Sequence, residues 1–194
     1  MRVGVFGGTF DPPHVGHLLA AVDAHEALGL DRLLFVPAAS QPLKVGRVTA
    51  SAEDRLAMTT LLVQDDPRFG VDRVEIDRGG LSYMVDTLAT LAGRLPGARL
   101  HLLVGADVLH SFAKWREPER VAQLAELVVL EREPQGGEEG PLDVGPAAGA
   151  RRLATRRVDV SSTEVRGRVR AGQSIRGFVP EAVASFIERA RLYR

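Results

Sequence analysis

The chain has 194 residues, of which 45% are apolar and 26% charged, the composition of an ordinary globular protein long enough to bury a sizeable core without staples. It has no cysteine, which excludes disulfides, thiol nucleophiles and thiolate metal sites and suits a cytoplasmic setting. Formal charge is zero, and neither a leader-like N-terminus nor an apolar run of about 18 residues stands in the sequence, so neither export nor a membrane partner is expected.

Val3-Gly4-Val5-Phe6 reads as a buried strand. It leads into Gly7-Gly8-Thr9-Phe10-Asp11-Pro12-Pro13-His14-Val15-Gly16-His17, after which Leu18, Val22, His25 and Leu28 recur at helical spacing. The paired glycines let the backbone approach a ligand, Asp11-Pro12-Pro13 makes a rigid turn, and Pro13 stands where a helix start tolerates proline. A strand, a tight loop and a helix N-terminus with outward N–H groups form an anion site. His14 and His17 share one side of the first helical turn. They do not read as a zinc pair, because no Cys and no further His cluster completes a coordination shell; no dedicated metal site is expected.

Leu33 to Val36 reads as a second strand, followed by a loop from Pro37 to Ala50 that carries Lys44. Ser51 and Asp54 open a helix with Leu56 and Val63 on its apolar side. Val71 to Ile76 is expected as a strand closed by Gly79-Gly80, and Ser82 as the cap of a helix whose Leu88, Leu91, Ala92 and Leu95 form one face. Leu100 to Val104 looks like a central parallel strand with Gly105-Ala106-Asp107 at its carboxyl end, and Leu127 to Leu130 gives another. Residues 131–149 lack periodicity and read as an exposed loop.

The last segment is basic, with 11 Arg against 4 Asp or Glu over residues 151–194. Such an excess suits a polyphosphate or a nucleic acid; with few aromatic rings to stack successive bases, polyphosphate is preferred. Ser161 and Glu164 form a capping box at a further helix start, stopped near Gly172. Its first-turn N–H groups and the Ser162 hydroxyl remain available to phosphate, and Arg166 offers a planar fork. Pro180-Glu181 starts a final helix with Val183, Phe186, Ile187 and Ala190 inward. The alternation predicts an α/β fold: a Rossmann-like doubly wound parallel sheet flanked by helices, one domain over 1–194 with a small C-terminal helical part at 161–194. Its ligands are expected beyond the carboxyl ends of the strands.

The opening Gly-Gly-Thr-Phe-Asp-Pro-Pro-His-Val-Gly-His and the later Ser-Ser-Thr-Glu-Val-Arg resemble the paired signatures of the His-x-Gly-His nucleotidyltransferases. Within them the chain is most similar to the bacterial nicotinate-nucleotide adenylyltransferases, through Ser82-Tyr83, Gly105-Ala106-Asp107, Trp115 and the closing Leu192-Tyr193-Arg194. The resemblance runs end to end apart from residues 131–149. It implies condensation of nicotinate mononucleotide with ATP to give the deamido dinucleotide and pyrophosphate, with Mg²⁺ accompanying ATP.

It also implies roles. His14, His17 and Arg166 would be catalytic; Gly7, Gly8, Thr9, Phe10, Gly105, Asp107, Ser161 and Ser162 would join them in holding ATP, Asp107 through a ribose hydroxyl. Lys44, Tyr83, Met84, Trp115 and Arg116 would hold the mononucleotide, with Trp115 stacked on its pyridine ring. The chain departs from the family pattern at Leu43, Met84 and Arg116, where His, Thr and Tyr are usual. ATP and nicotinate mononucleotide are the implied partners, nucleic acid is not, and a homo-oligomer is left open. The rival readings are a related adenylyl or cytidylyl transferase acting on nicotinamide mononucleotide or phosphopantetheine, a non-catalytic nucleotide-binding module, and nucleic-acid binding by the basic C-terminal part.

Overall fold

The computed structural model describes residues 1–40, 50–106, 111–131 and 149–194. Its centre is a parallel sheet built from β1 (Arg2–Gly8), β2 (Arg32–Pro37), β3 (Phe69–Val71), β4 (Arg99–Gly105), β5 (Glu126–Glu131) and β6 (Arg151–Ala154). The spatial order is β3-β2-β1-β4-β5-β6. Val5 of β1 stands opposite Leu34 on one side and Leu102 on the other. The chain thus leaves β1 towards β2 and later returns to β1's other edge at β4. That reversal opens a crevice beyond the carboxyl ends of β1 and β4, at Gly8 and Gly105.

Strand alternation divides the core into two layers. Leu33 and Phe35 of β2, Leu103 of β4, and Val128 and Leu130 of β5 face one layer. It is covered by α1 (Val15–Leu28), α2 (Ala52–Val63), α6 (Ser162–Arg170) and α7 (Glu181–Arg189). Val3, Val5, Leu34, Val36, Leu102 and Val129 face the other, under α3 (Val74–Arg78), α4 (Met84–Arg94) and α5 (Pro118–Leu124). Burial on both faces explains why the strands read as apolar runs rather than as alternating patterns. None of the helices among the described residues is long and apolar enough to cross a membrane.

The expected doubly wound α/β sheet is therefore present, with three local corrections. Val71 to Ile76 is not one strand: β3 ends at Val71, and Asp72 Oδ1 accepts from the Val74 N–H at 2.9 Å, turning the chain into the short α3. Gly79 and Gly80 do make the turn that follows, each at φ 67°. Ser82 does not cap α4, whose N-cap is Tyr83 without a side-chain cap; its Oγ accepts instead from the Ala39 N–H at 2.9 Å. Ala190 lies one residue past α7 and is exposed, while Val183 and Ile187 are buried as expected.

Candidate active site

The loop leaving β1 is held by side chains from distant parts of the chain. Phe10 sits in the left-handed region at φ 51°, a conformation that a bulky residue keeps only when packing imposes it. Its ring is buried, 5.8 Å from Phe6, 5.7 Å from Phe35 and 5.1 Å from His17. Arg55, 1% exposed, donates from Nη1 to the Thr9 carbonyl at 2.7 Å and from Nη2 to the Ala39 carbonyl at 3.0 Å. Burial lowers its pKa, against the pull of Asp11. The buried Asp11 carboxylate accepts from the Ala50 N–H at 3.1 Å and from the Tyr193 hydroxyl at 2.8 Å.

Sequence reading missed Arg55, Asp11 and Tyr193 as a framework. A signal existed for Arg55, since it falls on the α2 face that also presents Met58, Thr59 and Leu62, all buried. A basic residue on an apolar helix face needs a buried partner.

His14 and His17 stack with ring centroids 3.8 Å apart. A Cβ on Gly16 would come within 3.0 Å of His14 Nδ1, so the small residue between the histidines lets the first ring lie against the backbone. His17 Nδ1 accepts from the His14 N–H at 3.2 Å. That bond puts the proton of neutral His17 on Nε2, making Nε2 a donor. The Val15 N–H at the start of α1 is already bonded, at 2.9 Å, to the Phe178 carbonyl.

The second motif docks directly on the first. Ser161 Oγ accepts from the Glu164 N–H at 3.1 Å and so caps α6. The Ser162 hydroxyl donates to the Pro12 carbonyl at 2.8 Å, and Arg166 donates from Nη1 to the Asp11 carbonyl at 2.7 Å and from Nη2 to Thr163 Oγ1 at 3.2 Å. The Ser162 hydrogen is therefore committed to the loop rather than left for a phosphate. Its oxygen would meet an anion as a lone pair, so at this helix start the N–H groups and Arg166 are the suitable donors.

Across β1 from this cradle lies a cavity of about 180 Å³, whose lining includes Gly7, Gly8, Gly105, Tyr83, Met84, Lys114, Trp115 and Arg116. Trp115 is half-buried, with its ring 5.2 Å from Phe112. Arg116 stacks on Tyr83 at 4.9 Å, and its Nη1 lies 3.5 Å from Asp86. A Cβ on Gly7 would come within 2.6 Å of Met84 Cε, so this glycine makes room for a wall of the cavity. Lys44, Leu43 and Asp107 lie outside the described residues. Of the residues expected from the sequence, His14, His17, Ser161, Ser162 and Arg166 gather at the cradle, and Gly105 joins the cavity group.

A parallel sheet in this strand order, with two helix starts joined at one loop and a cavity at its switch point, defines a nucleotide-binding α/β protein. The sequence pattern of the cytidylyltransferase-like family matches residues 5–168. A Gemmatimonas aurantiaca protein named "Probable nicotinate-nucleotide adenylyltransferase" is 54% identical over 198 residues, spanning 100% of this chain and 93% of its own. A Thermus thermophilus protein of the same name is 48% identical over 194 residues, spanning 100% of both chains. The chain belongs to the cytidylyltransferase-like family and, within it, to the nicotinate-nucleotide adenylyltransferases. The fold is shared with the Plasmodium falciparum nicotinic acid mononucleotide adenylyltransferase solved with NaAD, at TM-score 0.78 and 16% identity over 99% of this chain and 97% of that one.

Proposed function

We propose that residues 1–194 act as one cytoplasmic nucleotidyltransferase domain that transfers AMP from ATP to nicotinate mononucleotide, releasing pyrophosphate. The observation that carries this reading is the docking of the α6 start on the β1 loop, through Ser162 to Pro12 and Arg166 to Asp11, beside the Trp115 cavity. Arg166 at the β1 loop and the cavity lined by Gly7, Gly8 and Trp115 support a reaction between a triphosphate and an aromatic mononucleotide.

An acceptor phosphate oxygen attacks the α-phosphorus of ATP; a new P–O bond forms as the bond to pyrophosphate breaks. The protein need supply no nucleophile, only alignment and stabilisation of the charge that shifts to the leaving group. His17 Nε2–H, the His14 ring and the Arg166 guanidinium are the donors assigned to the phosphates. Trp115 covers the pyridine ring, and the start of α4 at Tyr83 and Met84 receives its carboxylate through backbone N–H groups.

Among the described residues no three His, Cys, Asp or Glu side chains stand together as a metal cage, and the Asp11 carboxylate is engaged by Tyr193 and Ala50. We take the substrate to be MgATP, with the divalent cation arriving on the triphosphate.

The test is pyrophosphate release with MgATP and, in turn, nicotinate mononucleotide, nicotinamide mononucleotide and phosphopantetheine. Fastest turnover is expected with the first, and its absence there would sink the assignment.

A further inference from the structure

Glu75 is a buried carboxyl group that the proposed reaction does not use. It lies in α3 at 2% exposure, yet it belongs to the lining of the acceptor cavity. An acid in such a place is costly unless its oxygens are satisfied. Thr87 Oγ1 donates to Glu75 Oε1 at 2.6 Å and lies 3.3 Å from the Tyr83 carbonyl, and Arg78 Nη2 donates to Thr87 Oγ1 at 3.1 Å. Burial still pushes its pKa up, against these bonds and the nearby charges of Arg78 and Arg55.

Thr87, which Glu75 holds, and Ser82 flank the entry of α4. Ser82 precedes the N-cap Tyr83, which has no side-chain cap, and Thr87 lies one turn inside the helix. Ser82 also accepts from the Ala39 N–H at 2.9 Å and donates its own N–H to the Ser40 carbonyl at 2.9 Å. Glu75 thereby ties α3 to α4 through Thr87, while Ser82 ties the α4 entry to the stretch leaving β2. With no capping side chain of its own, the first turn of α4 takes its position from these bonds.

We infer that Glu75 is a positioning residue for the acceptor: through Thr87, which also touches the carbonyl of the N-cap Tyr83, it fixes the α4 entry that receives the acceptor's ring carboxylate. This role rests on the reaction proposed above. It is separable from ATP binding, because α3 and α4 cover one face of the sheet, while α1 and α6, which carry the phosphate donors, cover the other.

Steady-state kinetics of the full chain, with MgATP and nicotinate mononucleotide varied in turn, test it in the wild type, Glu75→Gln, Glu75→Ala and Thr87→Val. The loss of one charge-assisted hydrogen bond predicts that Glu75→Ala and Thr87→Val raise KM for nicotinate mononucleotide about tenfold, with KM for ATP within about twofold. Glu75→Gln, which keeps an acceptor oxygen for Thr87, should restore most of the loss. Thr87→Val keeps the side-chain shape and carries the test if Glu75→Ala does not fold. Equal rises in both KM values, or unchanged KM for the mononucleotide in Thr87→Val, overturn the inference. A wild-type chain inactive on nicotinate mononucleotide overturns instead the reaction on which it rests.

Discussion

Tyr193 donates its hydroxyl to Asp11 Oδ1 at 2.8 Å, joining the last turn of the chain to the loop that leaves the first strand. The bond is buried, and the tail reaches it with Arg191 and Tyr193 both in the left-handed region, at φ 52° and 64°. Such backbone persists where the surrounding contacts outweigh its strain. The C-terminal tail is thus part of the floor under the loop that leaves β1. Tyr193→Phe keeps the ring and removes only the donor, leaving a buried carboxylate less well satisfied. It is expected to destabilise the fold by about 1–3 kcal/mol, measured by urea unfolding.

The same hydroxyl gives the stability a pH signature. Burial, reinforced by the Asp11 charge, pushes the Tyr193 pKa well above its ordinary value. The unfolded hydroxyl ionises near pH 10 and the folded one does not, so the unfolded state is favoured progressively as pH rises. The contribution is fully present below about pH 10 and lost above it. Only two lysines and two tyrosines occur in the chain, which leaves few other groups titrating there. Unfolding midpoints between about pH 8 and 11 should fall more steeply in the wild type than in Tyr193→Phe.

Arg166 is tied to the Asp11 carbonyl through Nη1 and to Thr163 through Nη2. A lysine would keep the charge but could not span both acceptors while facing a phosphate. Arg166→Lys is expected to lower kcat/KM for MgATP by about 10²-fold, the scale of one lost transition-state donor. The thermal midpoint should change little, because the side chain is half-buried at the cradle rather than in either core layer. An Arg166→Lys enzyme with wild-type turnover would remove the residue from the chemistry.

Gly7 and Gly8 are adjacent but should respond differently to a methyl group. At Gly7 the added Cβ would come within 2.6 Å of Met84 Cε, the far end of a flexible side chain. At Gly8 it would come within 2.7 Å of the buried Phe10 ring, which cannot move without disturbing the strained loop. Gly7→Ala should fold and raise the acceptor KM several-fold as Met84 swings away, and Met84→Ala in the same chain should relieve the effect. Gly8→Ala should lose about 1–3 kcal/mol of stability, as overpacked cores do. Kinetics paired with thermal unfolding separates the two.

The sheet was legible because β1, β2, β4 and β5 are buried on both faces and so stand out as apolar runs. β6 was not, since Arg-Arg-Leu-Ala at a sheet edge buries only Leu153 and has no period to detect. Ser82 misled for a physical reason: its type favours a cap, but its hydroxyl oxygen is taken by the N–H of Ala39, remote in sequence. At the site, the two motifs were readable as helix starts, yet their mutual docking depends on the carbonyls of Asp11 and Pro12, which no side-chain pattern announces. Arg55 and Tyr193 act in the same way, through backbone or buried partners far along the chain.

Arg116 is one of the residues that line the cavity. It stacks on Tyr83 and lies 3.5 Å from Asp86 and 3.7 Å from Glu117, with about half of its side chain in solvent. Two carboxylates offset its charge and water screens it, so its influence on an anionic acceptor is limited to the range of exposed ion pairs, below about 1 kcal/mol. Arg116→Gln should therefore raise KM for nicotinate mononucleotide by less than about fivefold and leave that for nicotinamide mononucleotide unchanged. The difference should shrink as salt shortens the reach of the charge. Acid-over-amide selectivity measured at low and high salt decides the matter: a larger loss that persists in salt would mean that Arg116 contacts the carboxylate directly, in place of the α4 backbone.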